Sequence, residues 1–262
     1  NVAGFAGEVP LGPMLSEAMG GVPVRVENDV HAGVLGELER GAARPYRECL
    51  GIWVGTGVGG GLVFARRLHT GAGAAGEIGH MVIRPGGRLC SCGRRGCLEA
   101  YAGRASMERR AHELVQEGQR TSLFHIMRSR GSDRLTSGVW RRAQRDHDAM
   151  ARSLLRKAAW ALGIAMASAQ NLLDLEAILI GGGLGDKLGE PFRRRAQREM
   201  ERHLFSRTRG PVVLGTQLGD LAGAVGAAQL VAAPAQTAAR PERRPAPSGL
   251  GASAPARGKG TR

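Results

Sequence analysis

Apolar and polar positions change period several times along the chain, and each change marks an element. Val22 to Glu27 (VPVRVE) alternates as a short strand does. Asn28 and Asp29 then precede a stretch to Arg40 in which Val30, Val34, Leu35 and Leu38 recur at helical spacing. Two apolar runs, 50–54 and 61–65, flank the glycine-rich centre GTGVGGG and predict a β-hairpin. A further strand is expected over Ile78–Arg84, ahead of a loop that carries three cysteines to Glu99. From Ala100 to Asp174 there is almost no β signal, so several helices are expected, interrupted around Gly131–Gly138. Glu176–Ile180 (EAILI) has the continuous apolar character of a buried strand. After Gly181–Gly183 come a helical pattern from Glu190 to Leu204, a short strand over Pro211–Gly215 and a small-residue helix over Asp220–Ala232. From Pro234 onward the period is lost in Pro, Ala, Arg, Ser and Gly, which predicts a disordered tail. Strands interleaved with helices make this an α/β chain.

Composition adjusts the picture in three places. Hydrophobic residues make up 42% and charged residues 23% of 262 residues, ordinary for a globular protein with a sizeable core, whereas 41 glycines imply many tight turns or close backbone approaches. The net charge of +14 comes almost wholly from arginine, with only three lysines, and the tail alone holds +5 of it. With 4% aromatics there is little for nucleic-acid bases to stack on, so nucleic-acid binding is not expected. The longest apolar run, Ala158–Ala169, falls short of the ~20 residues a bilayer requires, and no basic-then-apolar leader opens the chain. A cytoplasmic protein without membrane contact is expected, and three crowded cysteines suit metal binding in a reducing compartment.

The most specific local signal is His80-x9-Cys90-x-Cys92-x4-Cys97. Three thiolates and an imidazole complete a tetrahedral zinc shell, and Gly86, Gly87, Gly93 and Gly96 let the loop fold tightly enough for them to converge. The alternative is a set of unrelated loop thiols. Such a zinc is structural, because no coordination position stays open. Cys49, at a strand start, is expected in the core, as are Trp53, Trp140 and Trp160. GTGVGGG contains a formal G-x-G-x-x-G, but the dinucleotide motif requires a following helix and a strand follows here. Five glycines in seven residues exceed what a tight hairpin needs. Backbone amides of Gly55, Gly57 and Gly59 and the Thr56 hydroxyl facing a phosphate are the chemical use. Asp29, between strand and helix, is by itself most simply a helix cap, yet a carboxylate at a strand end can also accept a proton from a substrate hydroxyl. Asn28, Asp29, Glu77 and Glu99 together form a polar set suited to several hydroxyls, as a sugar needs. Gly181, Gly182 and Gly183 end a buried strand and serve either as a plain βα turn or as a platform for a nucleotide's base and ribose.

The ordered set ENDVHAGVLGE, GTGVGGG, AGEIGH, CSCGRRGCLE and LIGGGLG resembles the ROK family of repressors, open reading frames and kinases over roughly residues 1–232. The resemblance implies the actin-like ATPase fold, with 1–48 as the remainder of an N-terminal α/β domain, 49–232 as a C-terminal α/β domain with its zinc loop at 80–99, and 233–262 as the tail. It implies a glucokinase-like activity, transfer of the ATP γ-phosphoryl group with Mg²⁺ to a hexose, with glucose the expected substrate. Asp29 is then the catalytic base. Asn28, Asp29, Glu77, His80 and Glu99 hold the sugar, His80 also ligating Zn²⁺; the hairpin glycines and Thr56 face the ATP phosphates and Gly181–Gly183 the adenosine. A homodimer or homotetramer is expected. Two departures stand out: Asn28-Asp29-Val30-His31 replaces the N-D-A-N of the family's glucokinases, and no Asp-x-Gly-Gly-Thr phosphate loop precedes it. The chain is therefore expected to begin part-way through its N-terminal domain. A sugar-responsive repressor of the same family, its helix-turn-helix lying upstream of Asn1, is the alternative.

Overall fold

The structure, a computed structural model, describes residues 9–206 and 210–232; the tail expected from residue 233 lies outside them. In chain order the elements are α1 (Leu11–Ala18), α2 (Asp29–Arg40), β1 (Cys49–Val54), β2 (Val58–Phe64), β3 (Arg67–His69), a 3₁₀ turn (Ile78–His80), α3 (Glu99–Ala102), α4 (Arg104–Gln116), α5 (Leu123–Ser129), α6 (Ser137–Arg145), α7 (Ala149–Leu173), β4 (Ala177–Gly181), α8 (Gly182–Glu201), β5 (Val212–Gly215), a second 3₁₀ turn (Gly219–Leu221) and α9 (Ala222–Ala232).

The five strands form one sheet in the order β3-β2-β1-β4-β5. β1 and β2 pair as an antiparallel hairpin from Cys49 opposite Val63 to Val54 opposite Val58. β4 lies parallel to β1, Trp53 opposite Gly181, and β5 lies parallel to β4. Alternation along each strand sends successive side chains to opposite faces. Cys49, Val63, Ala177 and Leu179 meet Val34 and Leu38 of α2 on one face. Leu50, Ile52, Val54, Ile178 and Ile180 join the larger core on the other, with Leu162 and Met166 of α7 and Leu184 and Leu188 of α8. All five residues of β4 are buried because helices cover both its faces.

α2 is held in place by α9. A Cβ on Gly36 would collide with the Ala222 carbonyl and one on Gly226 with the Ala32 carbonyl, so the two backbones touch where the side chains are absent. At its far end, buried Glu37 accepts the amides of Ala42, Gln217 and Leu218, tying α2 to the segment after β5.

Three expectations are corrected and one is extended. Val22–Glu27 is extended but unpaired, with Val22 and Val26 both 52% exposed; no described strand lies beside it, and alternation alone does not make a ladder. Ile78–Arg84 is a 3₁₀ turn followed by a single bridge, Val82 to Cys97, because Gly79 presses against the Val58 carbonyl and turns the chain there. The helix expected from Glu190 does start there, after a break at Gly189 (φ 65°, ψ −154°), but a further helical stretch from Gly182 precedes the break, and the two together make α8. β2 starts at Val58, which places Gly59, Gly60 and Gly61 inside a strand and reduces the hairpin tip to Gly55–Gly57. Elsewhere, no described helix is long and apolar enough to cross a membrane.

Candidate functional site

The C-terminal ends of the parallel pair β1 and β4 lie side by side, the place where α/β sheets bind ligands. β1 runs into the hairpin tip, β4 into the glycines that open α8, and the two meet directly: Gly182 (φ 80°) sits against the backbone of Val54, where a Cβ would come within 2.9 Å of the Val54 nitrogen and oxygen. Gly181 is packed on Thr216, whose hydroxyl donates to Asp186 at 2.6 Å. Burial raises the Asp186 carboxyl above its usual range, against the lowering effect of the Thr216 bond, and Glu37 and Asp220 raise it further.

The hairpin tip is docked on the start of α4. The amides of Arg104 and Ala105 donate to the Gly55 and Thr56 carbonyls, both at 3.0 Å. The Arg104 guanidinium spans the same gap, giving 2.8 Å to the Thr56 hydroxyl and 3.4 Å to the Ser137 hydroxyl. Ser137 in turn lies 3.6 Å from where a Cβ of Gly183 would stand. Thr56, Arg104, Ser137 and Gly183 thus form one continuous polar edge with a cation in its middle. Sequence reading passed over Arg104 and Ser137. The signals were present but faint: Gly103 breaks the helical pattern just before Arg104, and Thr136 caps α6 just before Ser137.

At the other side of the tip, Glu99 begins α3. Its Oε2 accepts the Val58 amide at 2.9 Å and its Oε1 the Ser91 hydroxyl at 2.6 Å. A Cβ on Gly57 would collide with that carboxylate. The next glycines answer to other neighbours: Gly59 to Val30 of α2, Gly60 to the Gly76 carbonyl and Ile78, and Gly61 to Val34. Gly55 alone in the run GTGVGGG has nothing within 4 Å of a Cβ. The contact of Gly59 with Val30 brings the head of α2 to the hairpin. There Asn28 caps the helix, its Oδ1 accepting the amides of Val30 at 2.9 Å and His31 at 3.1 Å. The capping role expected of Asp29 therefore belongs to Asn28. Asp29, the first residue of the helix, is exposed and, among the described residues, receives only the Val30 amide on one oxygen. Glu77, also exposed, precedes the 3₁₀ turn, and its carbonyl accepts the His80 amide at 3.0 Å.

His80, Cys90, Cys92 and Cys97 converge, all four ligand atoms within 4.8 Å of one another. Cys92 Sγ stands 3.7 Å from Cys97 Sγ, and Cys90 Sγ 3.8 Å from His80 Nδ1. Thiolates about 2.3 Å from a tetrahedral zinc lie about 3.8 Å apart, so the set has the right size for the ion. Positive φ at Gly86, Gly93 and Gly96 (70°, 84° and 87°) makes the loop's reversals. The thiols are not equivalent: hydrogen bonds from the Arg94 backbone and side chain bring Cys92 down to about 6, and burial pushes Cys97 up to about 12. Glu99 touches the same cluster, its Oε1 lying 3.8 Å from Cys90 Sγ. Cys49, by contrast, is buried in the sheet and far up its own scale, at about 12, from burial and from Glu176 and Glu48.

Comparison with known proteins sets these features in a lineage. The sequence pattern of the ROK family matches residues 4–233. The chain belongs to the ROK family. Over 225 residues it is 35% identical to the glucokinase of Streptomyces coelicolor, covering 83% of this chain and 70% of that protein. Among solved ROK structures, a Streptomyces griseus glucokinase in complex with glucose and AMPPNP superposes with a TM-score of 0.72 at 33% identity, over 84% of this chain and 72% of that one. A ROK transcriptional regulator, a homolog of the E. coli MLC protein, superposes with a TM-score of 0.71 at 27% identity, over 83% and 54% respectively. The sheet and its helices are accordingly those of the actin-like ATPase fold of ROK sugar kinases.

Proposed function

We propose that this ROK protein phosphorylates glucose, moving the γ-phosphoryl group of ATP, accompanied by Mg²⁺, to the 6-hydroxyl. The broader class, a sugar kinase, follows from its glucokinase relatives and from the solved ROK glucokinase with glucose and AMPPNP. The observation that carries the finer reading is the exposed Asp29 carboxylate, fixed at the head of α2 and brought to the glycine hairpin by Val30. Of the neighbouring acids, Glu99 already spends both oxygens on the Val58 amide and Ser91, which suits it to orient a sugar rather than to take a proton. Asp29 has an oxygen to spare.

In the proposed reaction Asp29 accepts the proton of the sugar hydroxyl as that oxygen bonds to the γ-phosphorus. The bond from γ-phosphorus to the bridging oxygen breaks, and ADP leaves with the electron pair. Asn28, Glu77, His80 and Glu99 hold the remaining hydroxyls. Charge on the phosphates meets the Gly55–Gly57 backbone, Thr56 and Arg104, a matter of positioning and electrostatics. The Gly181–Gly183 turn, with the amide end of α8 behind it, faces the nucleotide. Zinc on His80, Cys90, Cys92 and Cys97 would supply rigidity, holding His80 and the loop before Glu99 in place. A cytoplasmic homodimer or homotetramer is the working form suggested by the family resemblance.

Asp29→Asn tests the reading. Turnover should fall by about 10²–10⁴ while glucose affinity, measured by calorimetry, is retained, because only proton removal is lost. Near-normal turnover would make Asp29 no more than the first residue of its helix. The likeness to the MLC-type regulator supplies a second reading, a sugar-responsive repressor. Glucose binding with no phosphoryl transfer to glucose, mannose or N-acetylmannosamine would favour it.

A further inference from the structure

The loop that carries the zinc-type ligands has a second side. There a cleft of about 550 Å³ is lined by Arg84, Arg88, Tyr101, Lys157 and Trp160, together with the turn 85–87. None of the residues assigned above to sugar or nucleotide takes part in it. Its volume lies within the roughly 300–1,000 Å³ of small-molecule sites.

The charge in this cleft is unbalanced. Three of its lining side chains are cationic and none is acidic. Arg88 is the most telling: its guanidinium lies over the Tyr101 ring, 5.0 Å from the centroid, and its Nη1 is buried without a hydrogen-bond partner. A buried donor left unpaired is costly, the more so in a charged group, and such groups ordinarily find a partner. Arg110, whose charge also acts on Arg88, has partners of its own in Glu113 and Glu117, each at 2.9 Å. Lys157 has no such relief; burial, then Arg88, Arg110 and Arg84, holds its ammonium below the usual lysine value. The cleft also has an apolar wall, where Trp160 meets Tyr101 edge to face with centroids 5.9 Å apart. Forked guanidinium donors and an ammonium suit a phosphate dianion, and an aromatic wall suits the C–H face of a compact ring.

From these residues we infer that the cleft binds the phosphate monoester of a small metabolite, with Arg84, Arg88 and Lys157 on the phosphate and Trp160 along the carbon skeleton. Occupation would also brace the metal loop, because the Arg88 carbonyl accepts the Gly96 amide at 2.8 Å and its amide donates to the Tyr101 hydroxyl at 3.1 Å, between Cys90 and Cys97 on one side and α3 on the other.

Ribose 5-phosphate is a suitable probe, titrated calorimetrically into the full chain with glucose and AMPPNP saturating so that the catalytic cleft is filled. One saturable site per chain is expected. Lys157→Glu and Arg84→Glu, both at exposed positions that leave the core untouched, should each weaken binding by about tenfold or more, since each inverts a phosphate contact. Arg156→Glu, an exposed neighbour on α7 that does not line the cleft, changes net charge equally and should leave affinity within about twofold, as a screened charge outside the site. Absence of saturable binding, or equal weakening by Arg156→Glu and Lys157→Glu, would overturn the assignment in favour of diffuse attraction to a basic surface.

Discussion

Four of the five glycines from 55 to 61 answer to different neighbours and the fifth to none, which separates packing from chemistry. Gly57 is required by the Glu99 carboxylate, Gly59 by Val30, Gly60 by Gly76 and Gly61 by Val34. Gly55 meets nothing, so a methyl there costs the fold little and can be felt only by a ligand that approaches the backbone. Gly55→Ala is therefore expected to raise the KM for ATP with an unchanged melting temperature. Gly57→Ala displaces the carboxylate that receives the Val58 amide and should raise the KM for sugar by about tenfold, the scale of one lost charge-assisted hydrogen bond. Steady-state kinetics with each substrate varied in turn distinguishes the two. The density of glycine in GTGVGGG was readable as a demand for close approach, but the sequence has no means of saying what approaches. Most of the demand is protein against protein, across contacts between segments far apart in the chain.

Elements were most legible where a long pattern repeats. The 25 residues of α7 follow from an uninterrupted alanine- and leucine-rich stretch, and β4 from a buried apolar run with glycines behind it. Short elements depended on partners instead: Val22–Glu27 has a strand's alternation and no strand to pair with among the described residues, and Ile78–Arg84 is bent by the fit of Gly79 on Val58. The start of α7 carries a checkable device. Asp148 accepts the Ala151 amide at 2.8 Å, the Ser122 amide at 2.7 Å, and the hydroxyls of Ser122 and Thr121, both at 3.0 Å, joining two helix starts through one carboxylate. Burial works to raise its carboxyl, yet these bonds outweigh it and the net shift is downward. A carboxyl lowered in the folded state stabilises fully above the unfolded aspartate value and loses that contribution as pH falls through its folded value. Asp148→Ala should cost about 1–2 kcal/mol at neutral pH, the range for a lost helix cap. In urea titrations the difference from the unmutated chain should shrink as acid protonates the group.

Across the whole molecule, the residues proposed for sugar, phosphate and metal lie on separate segments that the sheet and α2 bring to one end. The residue types proposed for them come from spacing, above all the cysteine motif, whereas their junctions were not legible: the Thr56–Arg104–Ser137 edge joins positions 33 to 81 residues apart by way of side-chain hydrogen bonds that leave no local pattern. Purified protein is expected to hold about one zinc per chain by elemental analysis, and a chelator should lower the melting temperature as the loop loses its four-ligand centre. An intact, equally stable metal-free chain would leave the cysteines without that role. Cys49 gives the same experiment a built-in reference. Sealed in the sheet with a thiol held up at about 12, it has almost no thiolate at neutral pH to react with an alkylating reagent. Chelation frees the loop around Cys90, Cys92 and Cys97, and Cys97 then loses the burial that holds its thiol up, whereas Cys49 stays sealed in the sheet. Iodoacetamide should thus label three sites after chelation and a fourth only in denaturant, so the ratio of three to four, read by mass spectrometry on the unmodified sequence, reports separately on loss of metal and loss of fold.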